Sequence, residues 1–173
     1  GSLEFASYLY LSIVHPRKSS ALVLESEGGP LWNPGCYKIG LCLQPNASQH
    51  VVATANGKTI YDVTYEAGPN GTRLALDKND THQRPVFAAF FGDSNTFGMT
   101  VTGTDTLPGQ LGKILCSIHP YNFAMGGGTT SIMLAEFETG LVRKTVNENS
   151  GYFIYVYGDH HILRNVGDTR TLT

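Results

Sequence analysis

The chain has 173 residues, of which 41% are hydrophobic and 15% are charged, and its formal net charge is -2. This length suits one domain of ordinary size or two small ones. No cluster of Lys and Arg is longer than two residues, which argues against nucleic acid as a partner. The sequence also contains no apolar run long enough for a complete transmembrane helix.

The N-terminal segment is apolar and aromatic. Residues 3–14 read LEFASYLYLSIV and are followed by His15-Pro16-Arg17-Lys18, while Gly1-Ser2 resembles a remnant of cloning. The segment is either an amphipathic first helix packed on the rest of the chain or the end of a membrane anchor. We expect the helix in this chain and an N-terminal anchor in the natural protein, which would make that protein extracytoplasmic.

Residues 20–76 predict antiparallel β structure, either a small β-rich module or a large insertion packed on the domain that follows. Asn56-Gly57 separates two strand-like runs, which is the strongest short hairpin signal because both residues tolerate positive φ. Asn70-Gly71 repeats this pattern before residues 72–76. The other predicted strands of the module are the apolar runs at residues 21–24, 36–43, 51–55 and 58–65.

Two groups of side chains in the module have alternative interpretations. Trp32, Tyr37, Tyr61 and Tyr65 can form a surface on which sugars stack, but burial in a strand core is the favoured interpretation. An odd number of cysteines leaves at least one unpaired. The spacing of Cys36, Cys42 and Cys116 does not fit a zinc site, and we interpret all three as small buried residues.

A polar, turn-rich segment at residues 77–83 is the best linker candidate, which predicts an N-terminal part at 1–83 and an α/β domain at 84–173. From Arg84 onward, strands alternate with helices, so the fold class is α/β with a parallel sheet and right-handed crossovers. The predicted strands are Val86–Phe91, Tyr121–Met125 and Tyr152–Tyr157. One helix is capped by Asp105-Thr106 and has an apolar stripe of Leu107, Leu111, Ile114 and Leu115. The second is capped by Thr130 or Ser131 and includes Met133, Phe137 and Leu141.

Ser94 is the candidate nucleophile. It follows the first of these strands in the sequence Gly92-Asp93-Ser94-Asn95, at the carboxyl edge where open α/β sheets bind ligands. A hydroxyl needs a base to take its proton and donors to stabilise the developing charge. The alternative is that Asp93 and Ser94 only turn the chain and cap a helix.

The other two predicted strands are followed by groups that can assist this nucleophile. The second leads to Gly126-Gly127-Gly128, where a backbone N–H can approach a substrate closely, and the third leads to His160-His161. Parallel strands bring their carboxyl ends to one edge, so these groups are expected near Ser94. A flexible turn is the alternative for the glycines. Arg164 can bind an anionic group, although a surface charge is favoured there.

The sequence resembles the GDSL/SGNH hydrolase family in two blocks. Residues 92–98, GDSNTFG, fill every fixed position of the family's Gly-Asp-Ser-x-Thr-x-Gly block, and Asn122-Phe-Ala-Met-Gly-Gly127 matches its Asn-x-x-x-x-Gly block. The resemblance implies a flavodoxin-like, SGNH-type sheet with Ser94 as nucleophile and Gly127 as an oxyanion donor. We expect no cofactor and no metal at this site.

The third family block departs from this pattern. The family has Gly-x-Asn-Asp after the third strand, and its Asn is a further oxyanion donor. This chain has Gly158-Asp159-His160-His161 instead, so the imidazole N–H of His160 can donate in place of the Asn amide. We favour a functional role for His160 and leave the role of His161 open.

The expected catalytic base is missing as well. The family carries an Asp-x-x-His block near its C-terminus, but no His follows His161. His119 precedes the second strand and is expected at the opposite edge of the sheet. The chain is therefore a piece of a longer enzyme, or it uses His160 or His161 as an unusual base, or it has lost catalysis. We favour the first, because three parallel strands leave one edge strand unpaired.

Together these observations predict a serine ester hydrolase that acts on acyl esters, including O-acetyl esters, of carbohydrates or small molecules. An O-acyltransferase would use the same nucleophile, with a sugar hydroxyl in place of water. A non-catalytic glycan-binding or assembly protein that uses the β-rich module is the third hypothesis.

Overall fold

The computed structural model describes residues 22–33 and 42–165. The strands are β1 (Leu22–Gly28), β2 (Trp32–Asn33), β3 (Cys42–Leu43), β4 (Ser48–Ala55), β5 (Lys58–Glu66), β6 (Val86–Phe91), β7 (Ile118–Asn122) and β8 (Ser150–Tyr155). The helices are α1 (Ser94–Phe97), α2 (Leu107–Ile114), α3 (Thr130–Glu138), α4 (Leu141–Thr145) and α5 (His160–Asn165), with a 3₁₀ helix at Gly103–Asp105. No helix within these ranges is both long and apolar enough to cross a membrane. The predicted N-terminal helix or anchor lies outside the described residues.

The N-terminal part is antiparallel, as predicted. One sheet has the order β1-β4-β5, and β2 pairs with β3 in a second, two-stranded sheet. Asn56 and Gly57 have φ values of 52° and 72° and join β4 to β5, which confirms the hairpin. The expected strand at residues 72–76 is absent, because Arg73 makes only isolated bridges, to Ala67 and to Asn122.

The second half contains the parallel sheet that the alternating pattern predicts. Its order is β7-β6-β8, and both outer strands run parallel to β6. The central strand β6 is almost wholly buried, since only Val86, its first residue, is partly exposed. The chain is therefore a mixed α/β protein in which the carboxyl ends of three neighbouring strands meet at one edge.

The antiparallel module packs directly against the parallel sheet region. Leu31, Leu43 and Tyr65 share a buried cluster with Phe97 of α1, and the ring centroids of Trp32 and Phe97 lie 5.8 Å apart. The favoured core interpretation therefore holds for Tyr65, which is buried, and for Trp32 and Tyr61, which pack on the same cluster. Tyr37 lies outside the described residues.

The apolar stripe predicted for α2 is wrong. Leu107 and Ile114 are exposed, whereas the buried residues of the helix are Pro108, Gly109 and Gly112. The cause is close backbone packing: a side chain added at Gly109 would place its Cβ 2.4 Å from the carbonyl oxygen of Gly103. The helix packs through its small residues because larger ones do not fit there. The predicted N-cap is correct, since Thr106 accepts a hydrogen bond from the Gly109 amide.

The second predicted helix is two helices. Thr129 caps α3 instead of the predicted Thr130 or Ser131, and its hydroxyl accepts from the Ile132 amide. The chain then turns at Gly140, which adopts a left-handed conformation and is the N-cap of α4. Leu141, predicted to belong to the stripe of one helix, therefore lies at the start of the next.

The cysteines do not share one environment. Cys42 is buried and disulfide-bonded, whereas Cys116 is exposed and free. The expectation of small buried residues is therefore wrong for Cys116, which lies after the end of α2. Cys36 is outside the described residues.

The predicted linker at residues 77–83 has no helix or strand, but it is tethered to the α/β region. Arg84 pairs with Asp80 at 2.6 Å, and its guanidinium also donates to the carbonyl groups of Gly112 and Ile118. The Arg84 side chain is only 5% exposed. This arginine therefore binds the linker to the turn between α2 and β7.

A small cavity with room for about one water molecule lies between the module and the parallel sheet. Its lining includes Trp32, Arg73, Asn122, Met125 and Glu136. Glu136, on α3, is only 2% exposed, and burial raises the pKa of its carboxyl to about 9. At neutral pH this side chain is therefore a neutral carboxylic acid in the folded protein.

Replacing Glu136 by Gln is expected to stabilise the protein at pH 8. The folded-state pKa of about 9 exceeds the ordinary value of 4.5, so the folded state binds more protons between these values. Unfolding free energy therefore falls as pH rises through this window, by about 4 kcal/mol between pH 5 and pH 8 from this group alone, and Glu136→Gln removes that slope. Urea unfolding at pH 5 and pH 8 measures it. The matched control is Glu138→Gln, an exposed site on the same helix; an unchanged slope in Glu136→Gln contradicts the prediction.

Candidate active site

The first component of the site is the turn between β6 and α1. Asp93 is the N-cap of α1, and its Oδ1 accepts a hydrogen bond from the Asn95 amide at 2.9 Å. Ser94 is the first residue of the helix and is partly exposed. Its amide is therefore one of those that no intrahelical carbonyl can satisfy. The predicted capping role belongs to Asp93, which leaves the Ser94 hydroxyl available for chemistry.

The second component is His160, which contacts Asp93 across the sheet edge. Nε2 of His160 lies 2.6 Å from Oδ2 of Asp93, and the histidine side chain is 47% exposed whereas the carboxylate is 6% exposed. Burial raises the pKa of Asp93, but the hydrogen bonds from the Asn95 amide and His160 outweigh it and hold the pKa below its ordinary value. Asp93, the residue that precedes Ser94, is thus an ionised carboxylate that orients the accessible imidazole of His160.

His161 has a different environment from its neighbour. It is 1% exposed, and its Nδ1 accepts a hydrogen bond from the Gly158 amide at 3.2 Å and lies 2.8 Å from the Tyr155 hydroxyl. Its Nε2 lies 3.4 Å from Oδ2 of Asp93. Because the ring is buried and both of its nitrogens face other protein groups, we interpret His161 as a structural residue that holds the start of α5 beside Asp93.

The third component is the glycine loop after β7. Gly127 has a φ of 73° and is partly exposed, whereas Gly126 and Gly128 are buried. A Cβ at Gly128 would lie 2.0 Å from the carbonyl oxygen of Gly92, so this loop rests directly on the turn that precedes Ser94. Among the three glycines, only Gly127 is placed to offer its backbone to a ligand at this edge.

Helix α5 joins the components together. At its first residue it contacts Asp93 through His160, and at its last residue Asn165 donates to the Thr130 hydroxyl at 2.6 Å. The side-chain oxygen of Asn165 also accepts from the hydroxyl of Ser131. Arg164 is 42% exposed, as expected for a surface charge, and its guanidinium lies 3.7 Å from Oδ2 of Asp93. This cation is therefore close to the candidate site.

The sequence predicted Ser94, Gly127 and His160 as site residues, but it did not predict the pairing of Asp93 with His160. These residues are 67 positions apart, and a local pattern shows Asp93 only as a cap. The topology offered the one usable signal, because β6 and β8 are neighbours in the sheet. His119, expected at the opposite edge, lies on β7 and its Nδ1 is 2.6 Å from Glu148.

Asp93, His160 and His161 could provide metal ligands, since one potential ligand atom from each lies within 4.8 Å of the others. The hydrogen bonds do not suit a metal. Because the Gly158 amide donates to Nδ1 of His161, the neutral ring carries its proton on Nε2, which is the atom that faces Asp93. The nearby guanidinium of Arg164 would also repel a cation. The arrangement fits a hydrogen-bonded carboxylate better than a metal centre.

Comparison with known proteins does not identify a family for this chain. No family model matches it, and neither the curated proteins nor the solved structures searched gave a significant match. The functional argument therefore depends on the residues and geometry described above.

Proposed function

We propose that the chain carries the acyl-transfer site of a serine ester hydrolase of GDSL/SGNH type, with Ser94 as nucleophile. The observation that supports this most strongly is the contact of 2.6 Å between His160 and Asp93, the residue next to Ser94. It pairs a potential base with an orienting carboxylate beside an accessible hydroxyl. That arrangement is the general form of an activated serine.

His160 is the proposed base. It takes the role of the histidine in the family's Asp-x-x-His block, which this sequence does not contain. Nε2 of His160 is occupied by Asp93, so Nδ1 is the nitrogen left to accept the proton from Oγ of Ser94. The ionised Asp93 stabilises the imidazolium that results. Oγ then attacks the acyl carbonyl, and the alcohol leaves with the proton that His160 returns to it; water subsequently releases the acyl group.

The proposed oxyanion donors are the backbone amides of Ser94 and Gly127. The amide of Ser94 has no intrahelical acceptor, and Gly127 is the accessible member of its loop. Donors about 3 Å from the developing oxyanion stabilise the transition state more than the substrate. The family resemblance implies a third oxyanion donor at the position of His160. If His160 acts as the base, only the two backbone amides remain as donors.

The strand order supports the flavodoxin-like part of this proposal. In chain order, the parallel strands are arranged second, first, third, which is the beginning of the flavodoxin-like order. Such sheets bind ligands at the switch point between their first and third strands, and here these strands are β6 and β8. The proposed nucleophile follows β6 and the proposed base follows β8.

The proposed substrates are acyl esters, including O-acetyl esters, of carbohydrates or other small molecules. The proposed location is extracytoplasmic. The disulfide at Cys42 supports that location, because disulfides persist mainly in oxidising compartments.

A fluorophosphonate that reacts with activated serines tests the proposal. Intact-mass analysis is expected to show one phosphonyl adduct on the parent protein and none on Ser94→Ala. Ser150→Ala is the matched control, because Ser150 is exposed at the opposite end of β8, and it is expected to react as the parent does. Absence of an adduct on the folded parent, or an adduct that persists in Ser94→Ala, overturns the assignment of Ser94.

A further inference from the structure

Arg73 is a buried cation whose partners are neutral. It is 2% exposed, and its guanidinium donates to the carbonyl groups of Phe97 and Gly98 at 2.5 Å and also to Val101. None of the ion pairs formed within residues 22–33 and 42–165 includes it. Burying a cation without a carboxylate is costly, and burial lowers the pKa of Arg73 to about 10.

The guanidinium is also enclosed by aromatic rings. Its central carbon lies 4.8 Å from the ring centroid of Tyr65 and 4.7 Å from that of Phe97. Cation–π contact of this kind partly compensates for lost hydration. Tyr65 belongs to the antiparallel module and Phe97 to α1, so the arginine joins the module to the helix that begins with Ser94.

The carbonyl groups that Arg73 binds are at the end of that helix. Phe97 is the last residue of α1, and Gly98 is its C-cap. The amides of Gly98 and Met99 both donate to the carbonyl of Ser94, so one turn of backbone connects the arginine to the nucleophile. Asn122 adds a second buried donor, because its side-chain amide donates to the carbonyl of Thr96.

We propose that Arg73 is a positioning residue that fixes α1, and with it the hydroxyl of Ser94, from the antiparallel module; this proposal rests on the proposed role of Ser94. A helix of four residues has little stability of its own, since nucleation is costly. Asp93 fixes its first turn and Arg73 its last carbonyl groups. The module is then a part of the catalytic unit and does more than carry a separate binding surface.

Arg84 provides a matched control. It too is a buried arginine that donates to several backbone carbonyl groups, but these belong to the turn between α2 and β7. Arg73→Met and Arg84→Met should therefore both lower the melting temperature. Only the first should act on Ser94. Arg73→Lys retains a cation that can reach one carbonyl, so it should have an intermediate effect.

The test is the rate of fluorophosphonate labelling, measured well below the melting temperature of each variant, together with amide hydrogen exchange over residues 94–101. Arg73→Met is expected to react about 10- to 100-fold more slowly than the parent, because a displacement of about 1 Å can cost that much. It should also exchange faster at Gly98 and Met99. Arg84→Met should label at the parent rate, and Arg73→Lys should recover part of the loss.

The proposal is overturned if Arg73→Met labels at the parent rate, or if both methionine variants slow in proportion to their lost stability. Hydrogen exchange separates this failure from that of the proposed function. If the folded parent takes no label, Ser94 is not activated and the catalytic assignment fails. Unchanged exchange over residues 94–101 in Arg73→Met then shows separately that Arg73 does not order α1.

Discussion

His160→Gln is expected to slow fluorophosphonate labelling of Ser94 by about 10²- to 10⁴-fold, the usual contribution of a general base. Glutamine retains an N–H that can donate to Asp93, but its amide cannot accept the proton of the serine. The substitution therefore removes the base while preserving a hydrogen bond at the sheet edge. The measurement is the second-order rate constant of labelling on protein shown to be folded.

His119→Gln is the control for this experiment. His119 contacts Glu148 near the amino end of β7, so its replacement should leave labelling unchanged. The outcome also separates the two roles considered for His160. A glutamine amide can stabilise an oxyanion, so labelling of His160→Gln at the parent rate contradicts the base and favours the donor role that the family resemblance suggests.

Gly128→Ala is expected to destabilise the fold by about 3 kcal/mol or more, at the upper end of the cost of overpacking. The new Cβ would lie 2.0 Å from the carbonyl oxygen and 2.9 Å from the carbonyl carbon of Gly92. Both atoms are backbone, so the clash cannot be relieved by rotating a side chain. The turn before Ser94 and the glycine loop would have to separate.

Thermal or urea unfolding measures this effect. Gly29→Ala is the control, because no atom lies within 4 Å of a Cβ built there. Equal unfolding midpoints for Gly128→Ala and the parent would show that the two loops do not touch. A folded Gly128→Ala variant with reduced labelling would be consistent with the contact, since the same displacement moves Gly127 away from Ser94.

The parts of the fold that could be predicted from sequence are those with local physical causes. Asn56-Gly57 specifies its hairpin because both residues adopt positive φ, and the buried run of β6 reads as a strand because no polar residue interrupts it. The helix α2 was placed correctly by its cap, but its buried face was not. That face is chosen by how closely Gly109 and Gly112 approach other backbone and Pro120, which no apolar count reveals.

The candidate site shows the same division. Ser94, Gly127 and His160 could be proposed because parallel strands bring their carboxyl ends together. The pairing of His160 with Asp93 depends on the placement of α5, a helix that the pattern of residues did not indicate. The role of Arg73 could not be predicted for a related reason. The carbonyl groups that it binds are distant in sequence, and the local pattern indicates only a strand at this position.

The central claim is that one acyl group can be reached at once by the Ser94 hydroxyl, the Gly127 amide and the His160 ring. A crystal structure of the phosphonylated protein examines this contact directly. We expect phosphorus bonded to Oγ of Ser94, with its P=O oxygen accepting hydrogen bonds from the amides of Ser94 and Gly127 and with His160 beside Oγ. A P=O oxygen directed into solvent, with Gly127 and His160 out of hydrogen-bonding range, would contradict the claim.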